Sequence, residues 1–123
     1  MPTFRDAFCI LQVTDVRRTV DFYCEHFGFA HEYSFPTDGT PVYASLTLGG
    51  SKLAVGLADG ELHPTSAAVW IYADDVDAAY GALTQAGVRG AMEPADQPWG
   101  ERLADVLDPD GYVVHIGQAA SEA

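Results

Sequence analysis

The period of hydrophobic and polar positions changes several times along this chain, and each change marks an element. Residues 8–13 (Phe-Cys-Ile-Leu-Gln-Val) are short, apolar and β-prone, and predict a strand. Thr14 and Asp15 offer a helix N-cap. Val16, Val20, Tyr23 and Phe27 then recur at helical spacing until Gly28 stops the run. Residues 29–35 alternate loosely as a strand, and Pro36-Thr37-Asp38-Gly39 reads as a turn. Residues 42–48 alternate well, with Val42, Ala44, Leu46 and Leu48 on one face. Gly49-Gly50 turns the chain into a further strand over 52–57.

After a polar, turn-rich stretch over 58–66 the order begins again. Residues 68–72 predict a strand. Asp74 and Asp75 cap a helix carrying Val76, Ala79, Tyr80 and Leu83, which ends at Gly87. Residues 88–93 read as a weak strand and 94–100 as a loop. Residues 102–107 and 112–116 are strands joined by an Asp108-Pro109-Asp110-Gly111 turn. Val16 and Val76 open the two helices 60 residues apart, an internal period of pattern rather than of identity. The expected fold class is therefore α+β, with two βαβββ modules (about 7–57 and 67–117) joined by a linker over 58–66 in a single domain. Half-sheets of this size must cover an apolar face by pairing, within the chain or across a dimer.

Composition narrows the partners. Eighteen acidic residues stand against six basic ones, a formal net charge of −12. This disfavours nucleic acid, which needs Lys and Arg at the phosphates, and anionic membrane surfaces. The same field favours a cationic small ligand, although surplus acid also serves solubility. There is no apolar run of membrane-spanning length and no signal-like N-terminus, so the expected location is cytoplasmic. Cys9 and Cys24 make no disulfide framework and read as reduced structural thiols.

Val13-Thr14-Asp15, Thr19, Asp21-Phe22-Tyr23 and Phe27-Gly28-Phe29 resemble the first-helix signature of the vicinal oxygen chelate superfamily, which holds glyoxalases, bleomycin-resistance proteins and extradiol dioxygenases. Asp75-Val76-Asp77-Ala78 through Ala86-Gly87 resembles its second helix. Pro98-Trp99-Gly100-Glu101-Arg102 and Asp108-Pro109-Asp110-Gly111-Tyr112 resemble its closing hairpin. The resemblance covers about residues 7–117. It implies two curved modules forming an open sheet cleft, paired across a homodimer, but no single reaction.

In metal-dependent members, His, Glu or Gln enters the cleft from the first and last strand of each module. The matching positions here are Phe8, Val55 (or Gly56 with a one-residue slip), Ala68 and His115, and of these only His115 can ligate. The resemblance is thus to the metal-free, bleomycin-resistance-type binders, which also carry a Trp-Ile strand, as at Trp70-Ile71, and a Trp-Gly pair before the last hairpin. Neither a metal nor another cofactor is expected. The candidate ligand-binding residues are Trp70, Trp99, His115, Tyr43, Tyr72, Phe8 and Arg102. Tyr33 and Phe35 read first as packing, and Glu101 with Arg102 as an exposed pair. His115 reads either as a half-buried imidazole bonded to a neighbouring strand or as a polar group of the cleft. The expected function is sequestration of a planar or aromatic small molecule such as an antibiotic. The rival is a glyoxalase-like isomerase or lyase working without the usual metal, and a third reading is a metabolite sensor.

Overall fold

The structure, a computed structural model, describes residues 2–120. The chain divides into two compact units with the boundary between Leu62 and His63. In the first unit β1 (Cys9–Val13) leads into α1 (Val16–Phe27), then β2 (Ala30–Phe35), β3 (Tyr43–Leu48) and β4 (Ser51–Leu57). In the second, β5 (Ala68–Tyr72) leads into α2 (Val76–Gln85), then β6 (Arg89–Asp96), β7 (Arg102–Leu107) and β8 (Val113–Gln118). The sheets have the orders β1-β4-β3-β2 and β5-β8-β7-β6. In each, the first strand runs parallel to the last and the remaining pairs are antiparallel. The fold is α+β with two βαβββ modules, as the repeat predicts.

The helices start where the sequence supplies caps. The Asp15 carboxylate accepts from the Arg18 amide at 3.1 Å, and Asp75 does the same for Ala78 at 3.1 Å. Gly28 ends α1 at φ 77°, a left-handed conformation that costs glycine least. β8 reaches back to the start of α2, where the Gln118 side-chain oxygen accepts from the Val76 amide at 2.8 Å.

One face of each sheet is packed and the other is open, as strand alternation dictates. In the first unit Leu11, Val13, Ala44, Leu46 and Val55 are buried, as are Val16, Thr19 and Tyr23 of α1. In the second, Ile71, Ala104, Val106, Val114 and Ile116 are buried, with Val76 and Leu83 of α2. Each fully buried Val or Leu contributes roughly 1.5–3 kcal/mol, so these faces hold their modules together.

Three expectations need correction. Val55 is fully buried on the packed face, and the open-face positions of β4 are Ala54 and Gly56, opposite Ile10 and Gln12. The one-residue slip is therefore real. Pro94 lies inside β6 and not in a loop. It is tolerated because β6 is an edge strand whose register shifts on both sides of Met92, which leaves a position needing no amide proton. Val42 is exposed and precedes β3, although its backbone still bonds Phe35 and Leu57.

Candidate functional site

The open face of the second unit carries Ala68, Trp70 and Tyr72 from β5, His115 and Gly117 from β8, and Leu103 and Asp105 from β7. The register sets Trp70 opposite His115 and His115 opposite Asp105. Gly117, opposite Tyr72, has no side chain, and the Trp70 indole lies over it. The Trp70 and Tyr72 rings meet edge to face at 5.9 Å, and Trp70 tilts against His115 at 5.3 Å. His115 Nδ1 stands 2.6 Å from Asp105 Oδ1. Both readings of His115 therefore describe it: it is half-buried, bonded to the neighbouring strand, and lies on the open face.

Glu101, one residue before β7, ties the β6–β7 loop to this face. Its Oε1 accepts from Trp99 Nε1 at 2.7 Å. Its carboxylate also bonds the Tyr72 hydroxyl, which pushes that phenol above its ordinary pKa. Burial adds to the rise, while a hydrogen bond with Trp70 opposes it. Trp99 remains 58% exposed and Tyr72 60% exposed, so their ring faces are open.

Arg102, the next residue, points the other way. Its Nε and Nη2 donate to the two oxygens of Asp77 on α2 at 2.8 and 2.9 Å, and its Nη1 donates to Asp96 at 3.1 Å. These carboxylates hold the guanidinium more firmly charged, and Arg102 in turn depresses the Asp77 pKa. Glu101 and Arg102 are thus not a pair but serve opposite faces. Strand alternation across an apolar run would have separated them. The sequence carried that signal, and adjacency of opposite charges obscured it.

Phe8 and Tyr43 belong to the first unit. Tyr43 lies on the open face of β3, with its ring 6.3 Å from Tyr33. Phe8 immediately precedes β1, under the Lys52 ammonium at 4.5 Å from the ring centre. Lys52 also pairs with Glu32 at 3.1 Å, and the Ser45 hydroxyl donates to the same carboxylate at 2.9 Å. Both bonds hold Glu32 below its ordinary pKa. Tyr33 and Phe35 are exposed on this face, not packed. Of the seven candidates, the structure brings together Trp70, Tyr72, Trp99 and His115 on the second unit, places Phe8 and Tyr43 on the first, and turns Arg102 away. Cys9 is exposed and Cys24 half-buried; both are free.

The residues do not fit a resident divalent ion. The open-face positions nearest the family's ligand strands are Phe8 and Ile10, Ala54 and Gly56, Ala68 and Trp70, and His115, whose Nδ1 is engaged by Asp105. Among the described residues, no three His, Cys, Asp or Glu side chains stand close enough to hold a metal. Nor is any helix long and apolar enough to cross a membrane.

Two βαβββ modules of this order define the class of protein. Residues 7–116 match the model of the Glyoxalase/Bleomycin resistance protein/Dioxygenase superfamily, and the chain belongs to that superfamily. It is 27% identical over 124 residues to an uncharacterized protein of Mycobacterium bovis, covering 91% of this chain and 82% of the relative. Among solved structures it is similar to TioX from Micromonospora sp. ML1, with a TM-score of 0.77, 27% identity and coverage of 94% and 98% of the two chains. It is also similar to TnmS3 from Streptomyces sp. CB03234, an antibiotic binding protein, with a TM-score of 0.72, 28% identity and coverage of 98% and 99%.

Proposed function

We infer that this protein binds and sequesters a planar, aromatic small molecule, in the manner of the bleomycin-resistance branch of its superfamily. The observation that carries the reading is the set of exposed aromatic side chains Trp70, Tyr72 and Trp99 on the second unit, with Trp99 hydrogen-bonded to Glu101 and Trp70 set against both Tyr72 and the half-buried His115. Aromatic faces bury large apolar area at little entropic cost, and stacking adds roughly 0.5–1.5 kcal/mol per contact beyond burial. His115 and Tyr72 supply the few polar groups that orient a ligand in an apolar site. Arg102 is left out, because Asp77 and Asp96 engage it. The likeness to TnmS3, an antibiotic binding protein, points the same way.

The test is a thermal-shift screen of planar natural products and antibiotics, followed by titration of tryptophan emission. A binder at 100 times its Kd stabilises the fold by about 2.7 kcal/mol. Trp99→Ala should weaken binding with little loss of stability, and Trp70→Ala should weaken both. A hit whose affinity is the same for both variants and the parent would sink the reading.

A second reading, a metal-independent isomerase or lyase, rests on the His115–Asp105 pair, in which a carboxylate orients an imidazole able to move a proton. Its mark would be turnover of a screened ligand that His115→Gln abolishes while binding survives.

A further inference from the structure

We propose that the exposed faces of Trp70, Tyr72 and Trp99, together with the Glu101 carboxylate that holds Trp99, form a subsite for an organic cation, an ammonium or amidinium group carried on a flat ring. The proposal rests on the binding function above and specifies the charge of the ligand.

The rings are arranged by their polar edges. Trp99 Nε1 donates to Glu101 Oε1 at 2.7 Å, and the Tyr72 hydroxyl bonds the same carboxylate. Trp70 meets the Tyr72 ring edge to face at 5.9 Å. With the Trp99 N–H and the Tyr72 O–H turned toward one anion, and Trp70 packed edge to face on Tyr72, the π-faces are what remains for a ligand, and all three residues are at least 40% exposed. A ring that donates a hydrogen bond to a carboxylate gains electron density, which makes its negative face a better acceptor for a cation. Asp105, bonded to His115, places a second carboxylate on the same face of the sheet.

The positive charge that would complete this site is not supplied by its own module. From His63 onward the sequence holds ten acidic residues and only two basic ones, Arg89 and Arg102. Arg102 is turned to the opposite face by Asp77 and Asp96. Arg89 sits opposite Leu107, at the far end of β7 from Glu101. A neutral planar ligand would gain only stacking here, and an anionic one would be repelled.

Three acridines of one ring shape supply the probes: 9-aminoacridine as the cation, acridone as the neutral form and acridine-9-carboxylate as the anion. Each is titrated by quenching of tryptophan emission. The cation should bind at least about tenfold more tightly than acridone and the anion least, with the preference shrinking as salt screens the charge. Glu101→Gln keeps an acceptor for Trp99 and removes the charge, so it should cut the preference to about threefold or less while acridone affinity is retained. Asp74→Asn, which removes an exposed charge elsewhere, should leave the preference intact. Acridone binding as tightly as 9-aminoacridine, or Glu101→Gln retaining the full preference, would overturn the cation subsite and leave planar-ligand binding standing. No binding by any acridine would overturn it too, and a blank natural-product screen would then remove the broader reading as well.

Discussion

Gly117 lies directly beneath the Trp70 indole, so closely that a Cβ at position 117 would stand 2.8 Å from Nε1 and Cζ2 of that ring. Gly56 occupies the matching place in β4, where a Cβ would meet Ile10 Cγ2 at 3.4 Å. Each glycine is two residues beyond the open-face residue of its strand that pairs across the parallel ladder, Ala54 with Ile10 and His115 with Trp70. The repeat between modules is thus one of clearance for a side chain on the neighbouring strand.

Gly117→Ala should therefore swing the Trp70 ring off its seat and break its contacts with Tyr72 and His115. Trp70 is partly exposed and can move outward, so we expect a stability change below about 1 kcal/mol. Affinity for a ligand found in the screen should fall about tenfold. Gly56→Ala, whose Cβ would meet Ile10 Cγ2, Gln12 Nε2 and the Val42 carbonyl only at ordinary van der Waals distances, is the control. Equal affinity in both variants would show that the Trp70 seat does not shape the site.

Arg102 should prove structural. Arg102→Gln loses its bonds to Asp77 and Asp96 and should lower Tm by no more than about 3 °C, since exposed ion pairs contribute little. The Asp77 pKa is depressed in the folded state. The stability it contributes is therefore present above its unfolded pKa and is lost as pH falls through the lowered folded value. The Tm difference between parent and variant should close in strong acid. Ligand affinity should not change; a tenfold loss would return Arg102 to the binding site.

The repeat, caps and turns were legible in the sequence because each has a local cause, such as Asp15 and Asp75 at helix starts or Gly28 at an end. The open-face aromatics Trp70 and Tyr72 were legible from alternation alone. Val55 was placed on the wrong face because an unbroken apolar run, Leu53-Ala54-Val55, does not reveal which residue faces the helix. Pro94 concealed a strand because sequence does not show which strand is an edge. The role of Glu101 is hidden in the sequence because Tyr72 is brought to it by the order β5-β8-β7, which no local pattern encodes, while its bond to Trp99, two residues away, depends on the conformation of the β6–β7 loop.

The open sheet faces also bear on assembly. Ile10, Tyr33 and Phe35 in the first unit and Trp70 and Tyr72 in the second are each at least 40% exposed. Surfaces of this kind mark sites of association or ligand binding. We expect a two-fold homodimer that covers part of them, with the surplus acidic charge outside the interface. Sedimentation in moderate salt should give twice the 13.2 kDa chain mass. A monomer at micromolar concentration would overturn this expectation.

The Glu101–Tyr72 contact can be tested without any ligand. The carboxylate raises the Tyr72 pKa because it accepts a hydrogen bond from the neutral phenol and repels the phenolate. In an alkaline titration followed by tyrosinate absorbance, Tyr72 should contribute a late step. Tyr72→Phe should delete that late step, and Glu101→Gln should move it back toward the ordinary value near 10. The sign for stability follows. The folded pKa is raised, so the contribution is complete below the unfolded pKa and is lost as pH climbs through the folded one. Any stability advantage of the parent over Glu101→Gln that comes from this bond should hold at neutral pH and shrink in that alkaline window. Phenolate formation would also place a second negative charge beside Glu101, so Trp99 emission should shift over the same range. If Glu101→Gln leaves the tyrosine titration unchanged, the carboxylate is not beside the phenol, and the shared hold of Glu101 on Tyr72 and Trp99 fails with it.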